Sequence, residues 1–354
     1  MAGEDLTWLK LGHRGFLQEP SADRAGDQGG RAVHRRTYTP RAVRTSSAIR
    51  AAAWGIVAVG VAAPLARRRL RLPPPVVTAT AGAAPFALCV AVRRSTARDV
   101  ATCCLQMWAY VATYEMPNDD PEALRRRVRV GYPVALDKVL GLGELPGVRL
   151  QRALAAPGTI RRADAVLVWC HWLWFLVPHG SVAYVLLRRR EQFPRAAALT
   201  YAVFDLGLIG YWALPTAPPW YAAEQGVIPS PASDHPAMRR MMREHGEAFW
   251  KDAWAPLYDV LGGNPLAAMP SLHFATSVMA AHLLSDAGPV AGAVGWTYAA
   301  TLGFALVYLG EHYVVDLLAG LALTEGVRAL APRAAPVARR LSAGIQALEA
   351  RAHA

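Results

Sequence analysis

Hydrophobic residues gather in long unbroken blocks along this chain, with polar residues confined to the gaps between them. A helix needs about 20 mainly apolar residues to cross a bilayer. Blocks approaching that length run from Ile49 to Ala66, Val76 to Val92, Val100 to Tyr114, Ala165 to Leu187, Ala196 to Leu214, Ala267 to Leu284, Val290 to Leu309 and Tyr313 to Leu330. The Val100 block is short enough to lie at the interface instead. A spanning β-barrel would show weaker, alternating segments, so the pattern predicts an all-α polytopic transmembrane bundle of about six to eight spans.

The gaps divide the chain further. Residues 1–47 are polar, glycine-rich and of mixed charge, too poor in apolar surface to order themselves, and read as a disordered basic tail. So long and polar a lead does not suit a cleavable signal peptide, which makes the first block an uncleaved span. N-terminal membrane helices fill 48–114. Residues 115–164, which include "EALRRRVRVGYPVALDKVLGLGELPGVRLQRAL", mix Leu, Val and Arg with interrupting prolines and predict amphipathic helices lying on the headgroups. A membrane core occupies 165–331. In 332–354, Val337, Leu341, Ile345 and Leu348 recur at helical spacing among arginines, as in a surface helix on the cytoplasmic side.

The formal net charge of +12 is carried mainly by arginine, clustered at the ends of apolar blocks as "RRRLR" (67–71), "RR" (93–94) and "RRR" (188–190). Headgroup anchoring accounts for these clusters. No basic groove interleaved with aromatics accompanies them, which sets nucleic acid aside as a partner. The four cysteines lie within apolar blocks without metal-ligand or disulfide spacing and act as small hydrophobes. Charge also orients the chain: the loop 188–195, with its arginines, and the basic C-terminal tail belong in the cytoplasm, so the loop 215–264 faces outside. The same parity puts the arginine-rich 115–164 region outside, against the rule. Preference for arginine over lysine suits a GC-rich bacterial genome, hence a multi-pass plasma-membrane protein with an extracytoplasmic site.

Chemistry concentrates in "PSLHFA" (270–275) and "GEHYVVD" (310–316). Two apolar blocks and the turn "SDAGP" separate His273 from His312, so the chain crosses the membrane, returns, and brings both histidines to one face. His312 and Asp316, four apart, share a helix face. A carboxylate there holds the Nδ1 proton and leaves Nε2 free as a nucleophile. Pro270 suits a first helical turn, and Ser271 with the free N–H groups of a helix start would seat a phosphate. His273 then reads as the general acid for a leaving oxygen. His171, His179 and His282 read as headgroup contacts, and Trp169, Trp172, Trp174, Trp212 and Trp220 as interface anchors or packing. Asp205, mid-span, calls for a partner inside the bundle.

"PSLHFA" followed by "YLGEHYVVDLLAG" resembles the second and third signature motifs of the type-2 phosphatidic acid phosphatase superfamily, most of all the branch that contains inositol phosphorylceramide synthase. "LPTAPPWY" (214–221) resembles a proline-rich segment of that branch. Similarity covers roughly 165–331 and, more loosely, "LPGVRLQRAL". The resemblance implies that His312 attacks phosphorus to form a phosphohistidine, Asp316 orients it, His273 protonates the leaving group, and Ser271 helps hold the phosphate, with no metal and no cofactor.

Two features depart from the phosphatase pattern. Leu306 and Ala305 stand where it would have arginine and serine, and a clear first motif, Lys-x6-Arg-Pro, is absent. A transferring phosphoryl group needs its charge neutralised. Arg239, Arg240, Arg243 and Lys251 of the outer loop are the candidate substitutes, with Lys138 and Arg152 as others. The expected function is a phosphotransferase acting on a lipid phosphate ester, with inositol or another polyol as acceptor. A lipid phosphate phosphatase using water and a non-catalytic lipid-binding protein are the alternatives; haloperoxidase chemistry is remote.

Overall fold

A computed structural model describes residues 40–230, 237–256 and 263–354. The tail expected over 1–47 lies outside the described residues up to residue 39, as do two pieces of the 215–264 loop. The helices are α1 (Pro40–Leu70), α2 (Pro74–Ala91), α3 (Thr96–Glu115), α4 (Pro121–Arg127), α5 (Gly131–Leu140), α6 (Pro146–Leu154), α7 (Arg162–Trp172), α8 (Leu176–Arg188), α9 (Phe193–Ala213), α10 (Pro219–Glu224), α11 (Met241–Trp250), α12 (Leu272–Ala287), α13 (Pro289–Tyr308) and α14 (Val314–Ala352). Local chemistry sets many of the starts. Prolines open α2, α10 and α13, where a missing N–H costs nothing. Ser95 caps α3 by accepting from Arg98 N.

Among the described residues, five stretches are long and apolar enough to cross a membrane: Thr45–Leu70, Pro74–Ala91, Arg162–Arg188, Phe193–Ala213 and Pro289–Tyr308. The other three expected spans also form helices but differ for physical reasons. Helix α12 starts five residues after Ala267 and is only 16 residues long, about 24 Å at 1.5 Å per residue. Helix α14 carries Asp316, Glu325 and Arg328 within its membrane half, and α3 carries Arg98, Asp99 and Glu115. Short α12 is nonetheless the axis of the bundle: Ala275, Thr276, Ser277, Val278 and Met279 are all fully buried, packed among α8, α9, α13 and α14. Gly320 permits a close crossing of α14 and the start of α12, because a Cβ there would stand 2.5 Å from Ser271 O. The segments that carry His273 and His312 thereby meet at one end of the bundle.

Among the described residues, extended pairing is limited to bridges joining Arg129, Thr216 and Ala267. They pin the proline-rich segment beneath the start of α12.

Helix α14 does not stop at residue 331. It continues through Pro332 and Pro336, and its last turns return to the N-terminal helices, where Ala352 packs with Ala53, Val57 and Leu88. Buried Arg98 donates to Glu349 Oε1 at 2.9 Å and to the carbonyls of Cys89 and Val92 at 3.2 and 3.1 Å. Glu349→Ala removes the charged partner from this guanidinium and is expected to cost about 1–3 kcal/mol. Thermal melting in detergent measures it; an unchanged Tm would mean that the clasp contributes nothing.

Candidate active site

Helix α13 ends at Tyr308, and the chain must reverse before α14 begins. Gly310 makes that turn at φ 83°, where a Cβ would meet Arg239 O at 2.9 Å. The backbone N–H groups of Glu311 and His312 then both donate to Leu306 O at 3.0 Å, which fixes His312 over the bundle end. Asp316 lies in the first turn of α14, where the helix dipole favours a negative charge. Its Oδ2 accepts from Tyr313 N at 2.9 Å and from His312 Nδ1 at 3.2 Å. A carboxylate only accepts, so the proton sits on Nδ1 and the Nε2 lone pair is free. That Nε2 lies 3.3 Å from His273 Nδ1, which must supply the hydrogen of this contact.

Ser271 ties the two motifs together. Its hydroxyl caps α12 by accepting from Phe274 N at 3.3 Å, and its own N–H donates to Asp316 O at 3.0 Å. Ser271 and Asp316 are fully buried and His312 is nearly so.

Both histidines face a cavity of about 670 Å³ whose wall is rich in aromatic residues, including Tyr110, Tyr114, Trp172, Trp174 and Tyr211. The Trp174 indole donates to Thr276 Oγ1 at 2.9 Å, which sets its ring 4.1 Å from that of His273. Among the described residues, Arg240 is the one arginine or lysine in the wall. Gln151 decides this. Its side chain donates to Arg239 O and accepts from Arg239 N, at 2.9 and 2.8 Å, and so fixes the peptide from both sides. Arg239 consequently turns away to Glu244 and the Ala156 carbonyl. Arg240 turns inward, 3.6 Å over the Trp220 ring and 3.9 Å from Glu311 Oε1. Arg243 pairs with Glu247 and Arg152 with Glu144, while Lys251 and Lys138 also stand outside the cavity wall. Burial pushes the Glu311 carboxyl up, against the pull of Arg240 and His312.

The sequence pattern of the PAP2 superfamily matches residues 136–330, the stretch that supplies both histidines, Asp316, Gln151 and Arg240. The chain belongs to the PAP2 superfamily. Two curated relatives are inositol phosphorylceramide synthase of Candida albicans, 27% identical over 62% of this chain and 45% of that protein, and phosphoinositol dihydroceramide synthase of Bacteroides thetaiotaomicron, 28% identical over 38% of this chain and 44% of that one. The chain thus spans less than half the length of either. No solved structure matches.

The PAP2 match begins upstream of the expected 165–331 core and takes in Asp137, which sequence reasoning passed over. Asp137 is buried at the start of α14, and its Oδ1 accepts from Val315 N at 3.0 Å. The signal was present: one carboxylate amid the apolar side of "YPVALDKVL". Burial, offset by the Val315 N–H and reinforced by the Asp316 charge, pushes Asp137 up to about 6. The folded protein therefore holds an extra proton between about pH 4 and that value. This group's contribution to stability is full at acid pH and is lost as pH rises through about 6. Asp137→Asn keeps an acceptor and removes the ionisation, so the variant's Tm is expected to gain on wild type as pH rises from 4 to 7. A Tm difference independent of pH would contradict this.

The remaining expectations need correcting at particular residues. His171 lies in the PAP2 cavity wall, its ring 4.8 Å from that of His273, and not among headgroups. His282 binds Glu325 at 2.7 Å, and His179 Nδ1 lies 2.8 Å from Phe175 O. Trp172 and Trp174 pack against core clusters, as expected, and with Trp169 they also line the cavity. Asp205 finds its partner, Gln106 Nε2 at 2.8 Å, on the bundle surface and not inside it.

Proposed function

We propose that this chain is a membrane phosphotransferase that acts on a lipid phosphate ester through a phosphohistidine on His312. The chain of contacts from Asp316 through His312 to His273, opening on an aromatic cavity, carries this reading. His312 Nε2 attacks phosphorus as the bond to one ester oxygen breaks, and that oxygen takes the Nδ1 proton of His273, which enters the step as the imidazolium and leaves it neutral. An acceptor hydroxyl then returns its proton to His273 as its oxygen displaces His312 from phosphorus. The names of the two relatives, with the resemblance, support an inositol-containing substrate or a polyol acceptor. A site facing the outside of a plasma membrane agrees with the charge pattern, and periplasmic labelling of cysteines introduced within 215–230 tests it; failure to label would oppose it.

Charge favours a transferase over a phosphatase. A phosphomonoester brings about two negative charges near neutral pH, whereas a phosphodiester brings one. The described cavity wall offers one guanidinium, next to the Glu311 carboxyl, which suits the monoanion. Purified protein in detergent should therefore turn over a labelled phosphodiester lipid, with product depending on added acceptor. Arg240→Ala should lower kcat/KM by about 10²-fold. Equal release of inorganic phosphate from a phosphomonoester lipid without acceptor would decide for the phosphatase reading.

A further inference from the structure

We infer that His171 is a third working imidazole of this site, a neutral hydrogen-bond donor to the oxygens of the substrate's phosphoryl group; the inference rests on the reading of His312 as nucleophile. Ring centroids run 5.4 Å from His312 to His273 and 4.8 Å from His273 to His171, all three in the same cavity wall. His171 Nδ1 is buried and has no hydrogen-bond partner among the described residues. A buried ring nitrogen left without a partner is costly, unless an arriving group satisfies it.

The ring is also held in place. Helix α7 is tied to α13 at both ends: Tyr308 OH donates to Asp164 Oδ1 at 2.7 Å, and Tyr298 OH donates to Cys170 O, one residue before His171, at 2.9 Å. Phosphoryl oxygens need several donors, and Arg240 shares its charge with Glu311 and the Trp220 face. A neutral imidazole supplies an N–H without adding charge beside His273. A second cation at that position would oppose the charge His273 acquires on taking the acceptor's proton.

Packing and donation predict opposite orders for two substitutions. Phenylalanine keeps the flat ring and loses the N–H, whereas glutamine loses the ring and keeps an N–H. The test is titration of purified full-length protein in detergent with orthovanadate, a phosphoryl mimic, followed by tryptophan fluorescence. Turnover of the labelled phosphodiester lipid is measured beside it. His171→Phe should weaken vanadate binding and slow turnover by about 10- to 100-fold, with His171→Gln much nearer wild type. His171→Leu and His171→Asn repeat the comparison should either first variant fail to melt cooperatively. If Phe is tolerated and Gln is not, His171 only packs, and the inference falls while the nucleophile reading stands on the loss of binding and turnover in His312→Ala. If His312→Ala matches wild type in both assays, the nucleophile reading falls and this inference with it.

Discussion

Replacing His312 with alanine is expected to abolish phosphoryl transfer, by roughly 10⁴-fold or more, while the protein still folds. The covalent step needs a nucleophile with a free lone pair, and His312 Nε2 is the atom that the Asp316 contact leaves unprotonated. Nothing adjacent substitutes for it. His273 Nδ1 is 3.3 Å away but presents a proton, not a lone pair. Stability should suffer little, because Asp316 keeps its bond from Tyr313 N at 2.9 Å and continues to cap α14. The decisive measurement is trapping: wild type quenched during turnover with labelled donor should carry acid-labile, base-stable phosphate, and His312→Ala none. Free imidazole should restore part of the activity by entering the space left behind. Label retained by the variant would place the nucleophile elsewhere.

Asp316→Asn should be nearly as damaging, at about 10³- to 10⁴-fold in kcat. One carboxylate oxygen accepts from both Tyr313 N and His312 Nδ1, while Oδ1 is buried without a partner among the described residues. An asparagine that keeps its oxygen in the first position buries two unmet N–H donors in the second. One that flips donates to His312 and moves the proton to Nε2, which blocks attack. Either way the negative charge that would stabilise the imidazolium is gone. Single-turnover rates with the labelled lipid would reveal the loss; a variant within tenfold of wild type would reduce Asp316 to a helix cap.

The two motifs were legible because their logic is local: a four-residue spacing and a proline-led helix start survive any tertiary arrangement. Long-range decisions were not. Four cations stood in the outer loop without distinction, and the one that turns inward does so because Gln151, far earlier in the chain, grips the peptide beside it. His171 sits in a tryptophan-rich apolar run, where a lone imidazole looks like a headgroup contact until α7 packs against α13 and brings its ring beside His273. Asp137 looked like one charge of an interfacial helix. Arg98 and Glu349 carried no local signal, since each finds its partner at the opposite end of the sequence.

That last contact bears on inheritance. The PAP2 match covers 136–330, so α1 to α3 and the final stretch of α14 both fall outside it, yet they bury against one another. Two sequence-distant segments outside the family match thus form a single layer on the PAP2 bundle. Neither end keeps its apolar face covered without the other, so they are expected to be gained, lost and altered together, with Arg98 and Glu349 exchanging in concert across relatives.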